Sequence, residues 1–474
     1  MFNKILIANR GEIACRVIRT CKKLGIATVA VYSEADADSP HVKMADEAYL
    51  LGPAAAKDSY LNVEKVLDAV RQSGADAVHP GYGFLSEKSE FCRDLNKMGV
   101  TFIGPAPDAL DAFGDKMKAR SVATSANVEP PPGIDKPINV ETPAEITYAK
   151  EVASRVGYPI IVKAVGGGGG IGMQIVQNED GMEKALKSCS DRGRASFSDP
   201  LVYIERYMDN PRHIEVQVFG DKHGNVYSLG ERECSLQRRH QKIIEESPSP
   251  AWFFKGEEGA ARRKALHEAA IRVVKQVGYY NAGTCEFIAN DKGEIFFLEV
   301  NARLQVEHPV TEEVTGLDLV EWQLRVAAGE KLPENFGAQW PNGHSIEARL
   351  YAEDPMKGFI PKPGPINTLN WPSETLIGSV RIDSGIEPGG SVTPFYDPMI
   401  AKIITWGQNR DDALEAMRNA LDGTEISSVT NKSYLREVCD SPEFMSGQFD
   451  TKFAEPFAKQ LIEKRKTQIN KDTK

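Results

Sequence analysis

The stretch Gly293-Glu-Ile-Phe-Phe-Leu-Glu-Val-Asn-Ala-Arg-Leu-Gln-Val-Glu-His308 decides how this chain is to be read. Extended backbone sends successive side chains to opposite faces. Glu299, Asn301, Arg303, Gln305 and Glu307 therefore fall on one face, and Phe296, Leu298 and Val300 on the other. Two carboxylates, two amides and a guanidinium share a row that a merely solvated strand has no need of.

The preceding run, Thr284-Cys285-Glu286-Phe287-Ile288-Ala289, is also strand-like, and Asn290-Asp291-Lys292-Gly293 between the two suits a hairpin turn. Counting outward from that turn sets Glu286 opposite Phe297 and diagonal to Glu299. Diagonal neighbours lie roughly 7–8 Å apart, within reach of a shared cation. Like charges so placed repel unless something positive sits between them. Mg²⁺ takes hard oxygen ligands from one or two carboxylates plus phosphates. Glu286, Glu299 and Asn301 are thus expected to hold Mg²⁺ or Mn²⁺ against a nucleotide.

Working outward, Pro159 to Val165 reads as a strand entering five glycines, Gly166 to Gly170, and Gln174-Ile175-Val176 reads as the returning strand. Consecutive glycines, Gly167, Gly168 and Gly169 among them, let amide groups approach phosphate oxygens. Lys163 on the adjoining strand supplies a point charge. The pattern is not GxxxxGK[ST], so the reading is a mobile flap rather than a P-loop. The run Glu231 to Lys242 concentrates positive charge in an otherwise acidic protein, which suits an anionic substrate.

The chain opens with a βαβ unit: a strand at Lys4–Ala8, a helical pattern from Glu12 to Leu24, and a strand at Ala27–Tyr32. No GxGxxG follows the first strand, so a dinucleotide site is unsupported. Strands at Ala75–His79 and Val100–Gly104 follow, and the loop Pro80 to Glu87 at a strand end is a candidate ligand edge. At 474 residues, two or three domains are expected. A net charge of -10 argues against non-specific nucleic-acid binding. No signal peptide or membrane-spanning run is present in the sequence. Seven cysteines, widely spaced and without a CxxC, read as reduced thiols of a cytoplasmic protein.

Asn9-Arg10-Gly11-Glu12-Ile13-Ala14, His79 to Glu87, Gly166 to Met173, Cys234 to Lys242 and Glu299 to Pro309 together resemble biotin carboxylase, the ATP-grasp component of biotin-dependent carboxylases. The resemblance implies a mixed α/β and α+β multidomain fold. It has an N-terminal doubly wound parallel sheet (1–112), an ATP-grasp core (113–333) with a mobile glycine-rich lid (about 134–206), and a C-terminal α+β domain (334–447). A tail, 448–474, is expected to be partly helical or disordered.

It also implies the chemistry: bicarbonate attacks the γ-phosphate of ATP, and the resulting carboxyphosphate yields CO₂ that carboxylates N1′ of biotin. By the same resemblance Lys116 and Lys163 meet phosphates, Glu205 and Met208 form the adenine hinge, and His213, Gln237 and His240 line the nucleotide pocket. Lys242, Arg303, Gln305 and the Val306 backbone hold bicarbonate. Glu307 is the general base, Arg349 stabilises the biotin enolate, and Tyr82 contacts biotin. Whether Glu307 is kept ionised by cations or pushed up by apolar neighbours stays open at this level.

The flap departs from the family at Ile171, where arginine or lysine is usual, and the hinge at Arg206, where lysine is common. No Ala-Met-Lys-Met acceptor sequence occurs. The expected partners are therefore a biotin carboxyl carrier protein and a carboxyltransferase subunit, with a homodimer as the expected assembly. The run from Thr430 to Phe453 resembles the ending of propionyl-CoA, methylcrotonyl-CoA and pyruvate carboxylases. An acetyl-CoA or propionyl-CoA carboxylase is favoured, with a pyruvate carboxylase next. Another ATP-grasp ligase, or a scaffold without turnover, would share parts of the pattern but would not require Arg303, Gln305, Glu307 and Arg349 together.

Overall fold

The computed structural model describes residues 1–134, 136–167, 172–372 and 377–472. Gly168, Gly169 and Ile171 lie outside the described residues.

The opening run Lys4–Ile7 (β1) is apolar because it is covered on both faces, as strands of parallel sheets are. With Ala27–Ser33 (β2), Glu47–Gly52 (β3), Ala77–His79 (β4) and Thr101–Phe102 (β5) it forms a parallel sheet of order β3-β2-β1-β4-β5. β3 was not anticipated; it is an edge strand in which Ala48 and Leu50 are exposed and only Leu51 is buried. Because β1 and β4 are neighbours, the loops at their carboxyl ends meet. Asn9 Nδ2 donates to the carbonyls of Pro80 and Tyr82, both at 2.8 Å. Gly81 sits at φ +63°, and a Cβ there would come within 2.8 Å of the Asn9 amide, so this junction requires glycine.

Ile160–Ala164 (β6), Met173–Val176 (β7) and Val202–Arg206 (β8) make a small antiparallel sheet, ordered β7-β6-β8. β6 and β7 pair directly as antiparallel neighbours. This sheet and the helices Pro143–Val156 and Met182–Phe197 share a small core of their own.

The large sheet has eight strands. It runs from Ile295–Asn301 (β13) and Asn281–Ala289 (β12) through Arg212–Gly220 (β9), Val226–Arg238 (β10), Gln241–Ser247 (β11) and His344–Tyr351 (β14), and ends on strands Met399–Gly407 and Ser379–Ser384. One sheet thus joins the nucleotide-binding part of the chain to the region after residue 344. The helix Ala454–Asp472 lies beyond it. Ala454 and Ala458 are buried with Tyr434 and Phe449, and Tyr434 Oη donates to the Ala454 carbonyl at 2.9 Å. The first turns of this helix are therefore docked against the core. Among the described residues no helix is long and apolar enough to cross a membrane.

The β12–β13 register corrects the sequence reading. Glu286 stands directly opposite Glu299, and Phe287 opposite Phe297, with a bulge between. A bulge places two residues against one and turns the following side chains over. Leu298 consequently faces the same cavity as Glu299, while Phe297 and Val300 are buried in the core. The strand also ends at Asn301, so the alternation does not continue through Arg303, Gln305 and Glu307. Glu307 instead immediately precedes the helix His308–Thr315.

Candidate active site

A cavity of about 850 Å³ lies between the small sheet and the large one. Its walls bring together Lys116, Lys163, Gly167, Glu205, Met208, His213, Gln237, His240, Glu286 and Glu299. Ile161, Ile288, Leu298 and Met208 add apolar surface suited to a flat base. Lys116 opens the helix Lys116–Ser125, whose preceding Asp115 accepts from the amides of Met117 and Lys118. Glu205 is buried between Arg120 and Lys163, which both donate to it. Arg206 lines the rim.

The charge run Glu231 to Lys242 belongs to the β10–β11 hairpin. Its turn, Arg239-His240, has φ of +50° and +65°, the geometry of a tight hairpin turn normally filled by asparagine or glycine. The amide of Arg239 donates to Glu455 Oε1 at 3.2 Å, and Thr451, Lys452 and Glu455 line the cavity. Sequence reasoning missed this contribution from the chain's end, because nothing local in residues 451–455 announces a ligand.

Behind the cavity lies a closed polar cluster. Lys242 Nζ donates to Glu307 Oε1 at 2.6 Å, to Glu286 Oε1 at 3.1 Å and to Glu215. Arg349 Nη2 reaches Glu307 Oε2 at 2.9 Å and also contacts Glu245. Burial pushes the Glu307 carboxyl up, but Lys242, Arg349 and Arg232 pull it further down, well below the usual carboxylate range. The open question about Glu307 is settled in favour of the charged form, and by cations other than Arg303. Arg303 instead spreads its guanidinium over Glu87 Oε2 (3.0 Å), Gln305 Oε1 (3.0 Å) and Asn301 Oδ1 (3.1 Å). Gln305 Nε2 turns to Glu286 Oε1 at 3.4 Å. The Val306 carbonyl accepts from the buried Lys402 at 2.7 Å, and Lys402 Nζ lies 3.2 Å from Glu12 Oε1, the oxygen to which the Tyr82 hydroxyl donates.

Two groups of residues therefore emerge. The first lines the cavity; Lys242, Arg303, Gln305, Val306, Glu307, Arg349 and Tyr82 do not, and of these Lys242 and Gln305 are joined to it through Glu286. Glu215 and Lys402 were missed from sequence, and Glu87 and Arg232 lay in segments singled out there but were given no role of their own. Arg232 lies wholly buried between Glu215 Oε1 (2.5 Å) and Gln217 Oε1 (2.7 Å) and so holds the floor of the cluster.

The residues fit a hard divalent cation. Glu286 and Glu299 are cross-strand partners. Burial and the charge of Glu286 both push the Glu299 carboxyl up, and Lys116 only partly offsets them. Glu286 is itself pushed up by burial, yet Lys242 and His213 hold it well below the usual range. Asn301 has its oxygen turned to Arg303 and its Nδ2 to Glu286 at 2.8 Å, so here it orients the carboxylate. His213, Glu215 and Glu286 also converge, but Lys242 already sits against both carboxylates of that group.

All seven cysteines are buried, free thiols. Burial, with Glu215 adding to it, pushes Cys234 well up, so it is no nucleophile.

A three-stranded lid facing a large antiparallel sheet, with lysines on both sides and paired carboxylates below, is the ATP-grasp arrangement. Comparison with known proteins narrows it. Residues 1–110 match the biotin carboxylase N-terminal domain, residues 115–335 the carbamoyl-phosphate synthase L chain ATP-binding domain, and residues 347–456 the biotin carboxylase C-terminal domain. Biotin carboxylase 2 of Bacillus subtilis is 48% identical over 454 residues, covering 96% of this chain and 99% of that protein. The propionyl-CoA carboxylase alpha chain of Ruegeria pomeroyi is 48% identical over 471 residues, covering 96% of this chain and 68% of that protein. Other acyl-CoA carboxylase alpha chains it matches are spanned over 60–63% of their length. The biotin carboxylase domain of Hydrogenobacter thermophilus 2-oxoglutarate carboxylase, solved with MgADP and bicarbonate, superposes with a TM-score of 0.89 at 44% identity, over 96% of this chain and 98% of that one. The chain belongs to the biotin carboxylase family, and it is an ATP-dependent carboxylase.

Proposed function

We propose that this chain carboxylates biotin on a carrier protein, using ATP and bicarbonate, with the two groups of residues dividing the work. The carrying observation is Glu307. It is a wholly buried carboxylate clamped between Lys242 and Arg349, one residue cluster away from the nucleotide cavity.

Lys116, Lys163 and the glycine hairpin bind the phosphates, and Glu205 and Met208 set the hinge beside the base. Glu286 and Glu299 would hold Mg²⁺, with Asn301 orienting Glu286; the ion would neutralise the phosphates and polarise the bond to the γ-phosphoryl group. Arg303, Gln305 and Lys242 hold bicarbonate against that group, where arginine's planar fork suits a bidentate oxyanion. Glu307 takes the bicarbonate proton. A carboxylate held so low is a weak base until the incoming anion claims part of Lys242, which raises its affinity for that proton. The freed bicarbonate oxygen attacks the γ-phosphorus and ADP leaves. Carboxyphosphate then splits into CO₂ and phosphate, the phosphate takes the N1′ proton of biotin, and Arg349 stabilises the negative charge on the ureido oxygen while N1′ attacks CO₂. Tyr82 forms the wall on the biotin side.

This sequence requires one bicarbonate oxygen to end in phosphate. With ¹⁸O-bicarbonate, the phosphate released should carry one ¹⁸O per turnover; unlabelled phosphate would overturn the reading.

The carboxylated biotin is proposed to serve an acetyl-CoA or propionyl-CoA carboxylase, through a biotin carboxyl carrier protein and a carboxyltransferase. The identity to propionyl-CoA and methylcrotonoyl-CoA carboxylase alpha chains supports this. Pyruvate is the alternative acceptor, supported by the likeness to the biotin carboxylase subunit of pyruvate carboxylase. A homodimer in the cytoplasm completes the proposal, and light scattering tests the first part of it.

A further inference from the structure

Behind Arg349 lies a pair of carboxylates that the reaction just described does not use. Glu245 on β11 and Glu347 on β14 are direct cross-strand partners, and both are wholly buried. Neither oxygen of Glu347 has a hydrogen-bond partner among the described residues. Glu245 is ion-paired with Arg349, whose Nη2 also reaches Glu307.

The charged groups facing this pair come from four elements. Arg349 comes from β14, Lys242 from β11, Lys402 from the strand Met399–Gly407, and Glu307 from the start of the helix His308–Thr315. Lys242 is already divided among Glu215, Glu286 and Glu307. Lys402 is taken by the Val306 carbonyl and Glu12. Among the described residues no cation forms an ion pair with Glu347, and a buried carboxylate without one neutralises instead. Burial pushes both groups up, Glu245 to about 7 and Glu347 well above the usual range, and each raises the other once both are ionised.

We propose that Glu245 and Glu347 share one proton and together act as positioning residues for Arg349, Glu245 anchoring the guanidinium and the neutral partner leaving its charge free for biotin. With both ionised, three carboxylates would surround Arg349 and cancel the field it must offer to a developing oxyanion. With one proton shared, Arg349 is balanced by Glu245 and Glu307. When Glu307 accepts the bicarbonate proton, the guanidinium loses one partner at the stage at which biotin requires it. This inference rests on the proposed biotin carboxylation.

Infrared spectroscopy of the wild type near neutral pH, with Glu347→Gln and Glu245→Gln as references, tests it together with the ratio of biotin-stimulated to background bicarbonate-dependent ATP hydrolysis. A carboxylic-acid band present in the wild type and absent from Glu347→Gln is expected. Glu347→Gln, which mimics the protonated form, should lower the ratio by less than about threefold, and Glu245→Gln by more than about tenfold, because the anchor is gone. A wild-type spectrum whose acid band survives unchanged in both variants would overturn the proposal, as would equal losses of the ratio. If Glu245→Gln fails to fold, the infrared comparison of the wild type with Glu347→Gln decides alone. Absence of any bicarbonate-dependent hydrolysis in the wild type would refute the functional reading instead, and the infrared result would still report on the shared proton.

Discussion

Replacing Glu307 by glutamine removes one negative charge and keeps the shape. In the wild type, Lys242 at 2.6 Å and Arg349 at 2.9 Å each spend one contact on this carboxylate. Breaking a buried ion pair costs about 3–5 kcal/mol when the surviving charge is stranded. Here neither cation is stranded, since Lys242 keeps Glu215 and Glu286 and Arg349 keeps Glu245. The stability loss should therefore be smaller, about 1–3 kcal/mol, and visible as a lowered urea midpoint in a folded protein. The rate loss should be larger, because the proton acceptor is gone: about 10²–10⁴-fold, or roughly 3–5 kcal/mol of barrier. Glu307 does not line the nucleotide cavity, so the KM for ATP should stay within a few-fold. The assay is steady-state ADP release at saturating bicarbonate. A variant that folds and retains more than about a tenth of the wild-type rate would refute the assignment of Glu307 as the base.

Three further outcomes follow from the same geometry. Glu286→Gln and Glu299→Gln should each reduce Mg²⁺-dependent ATP turnover at least ~100-fold; turnover retained at any Mg²⁺ concentration would remove these residues from the metal site. Arg349→Lys keeps the charge but not the planar guanidinium whose Nη2 reaches both Glu245 and Glu307. It should depress biotin-stimulated hydrolysis at least ~10-fold and background hydrolysis less, and an equal loss of both would contradict a biotin-side role. Glu246 is buried against Arg410 and His344; burial pushes it up, but those partners hold it at about 2 against an ordinary 4.5. A depressed carboxyl contributes stability above its unfolded value and loses it as pH falls through the native value, so roughly 3 kcal/mol should fade between about pH 4.5 and 2. The gap in urea midpoint between wild type and Glu246→Gln should therefore shrink from pH 7 toward pH 3, and a gap independent of pH would show that the carboxylate charge is not what stabilises.

Much of the fold was legible because it is written locally. β1, β2 and the helix between them follow from apolar runs and helical spacing, and the glycine hairpin from two strands closing on Gly166 to Gly170. What was not legible has physical reasons. β3 is a half-exposed edge strand whose four apolar residues, Ala48 to Leu51, are too short a run to tell strand from helix by periodicity. The bulge at Glu286 and Phe287 leaves no signal in composition, yet it moves Glu299 from a diagonal to a direct partner. The Arg239-His240 turn lacks the glycine or asparagine that would announce it. Cavity and cluster residues such as Lys163, Glu286, Glu307 and Arg349 were found because they sit in recognisable segments. Their supports were not: Glu215 and Lys402 lie outside those segments, Arg232 and Glu87 lie inside them without a readable partner, and sequence spacing cannot show which carboxylate a buried cation serves. For the same reason the state of Glu307 stayed open until Lys242 and Arg349 were seen on either side of it.

The most direct measurement is ATP hydrolysis by the purified chain with Mg²⁺, bicarbonate and free biotin, each omitted in turn. The account predicts hydrolysis that requires Mg²⁺ and bicarbonate and rises when biotin is added. Hydrolysis indifferent to bicarbonate and biotin, in protein shown to be folded, would contradict it.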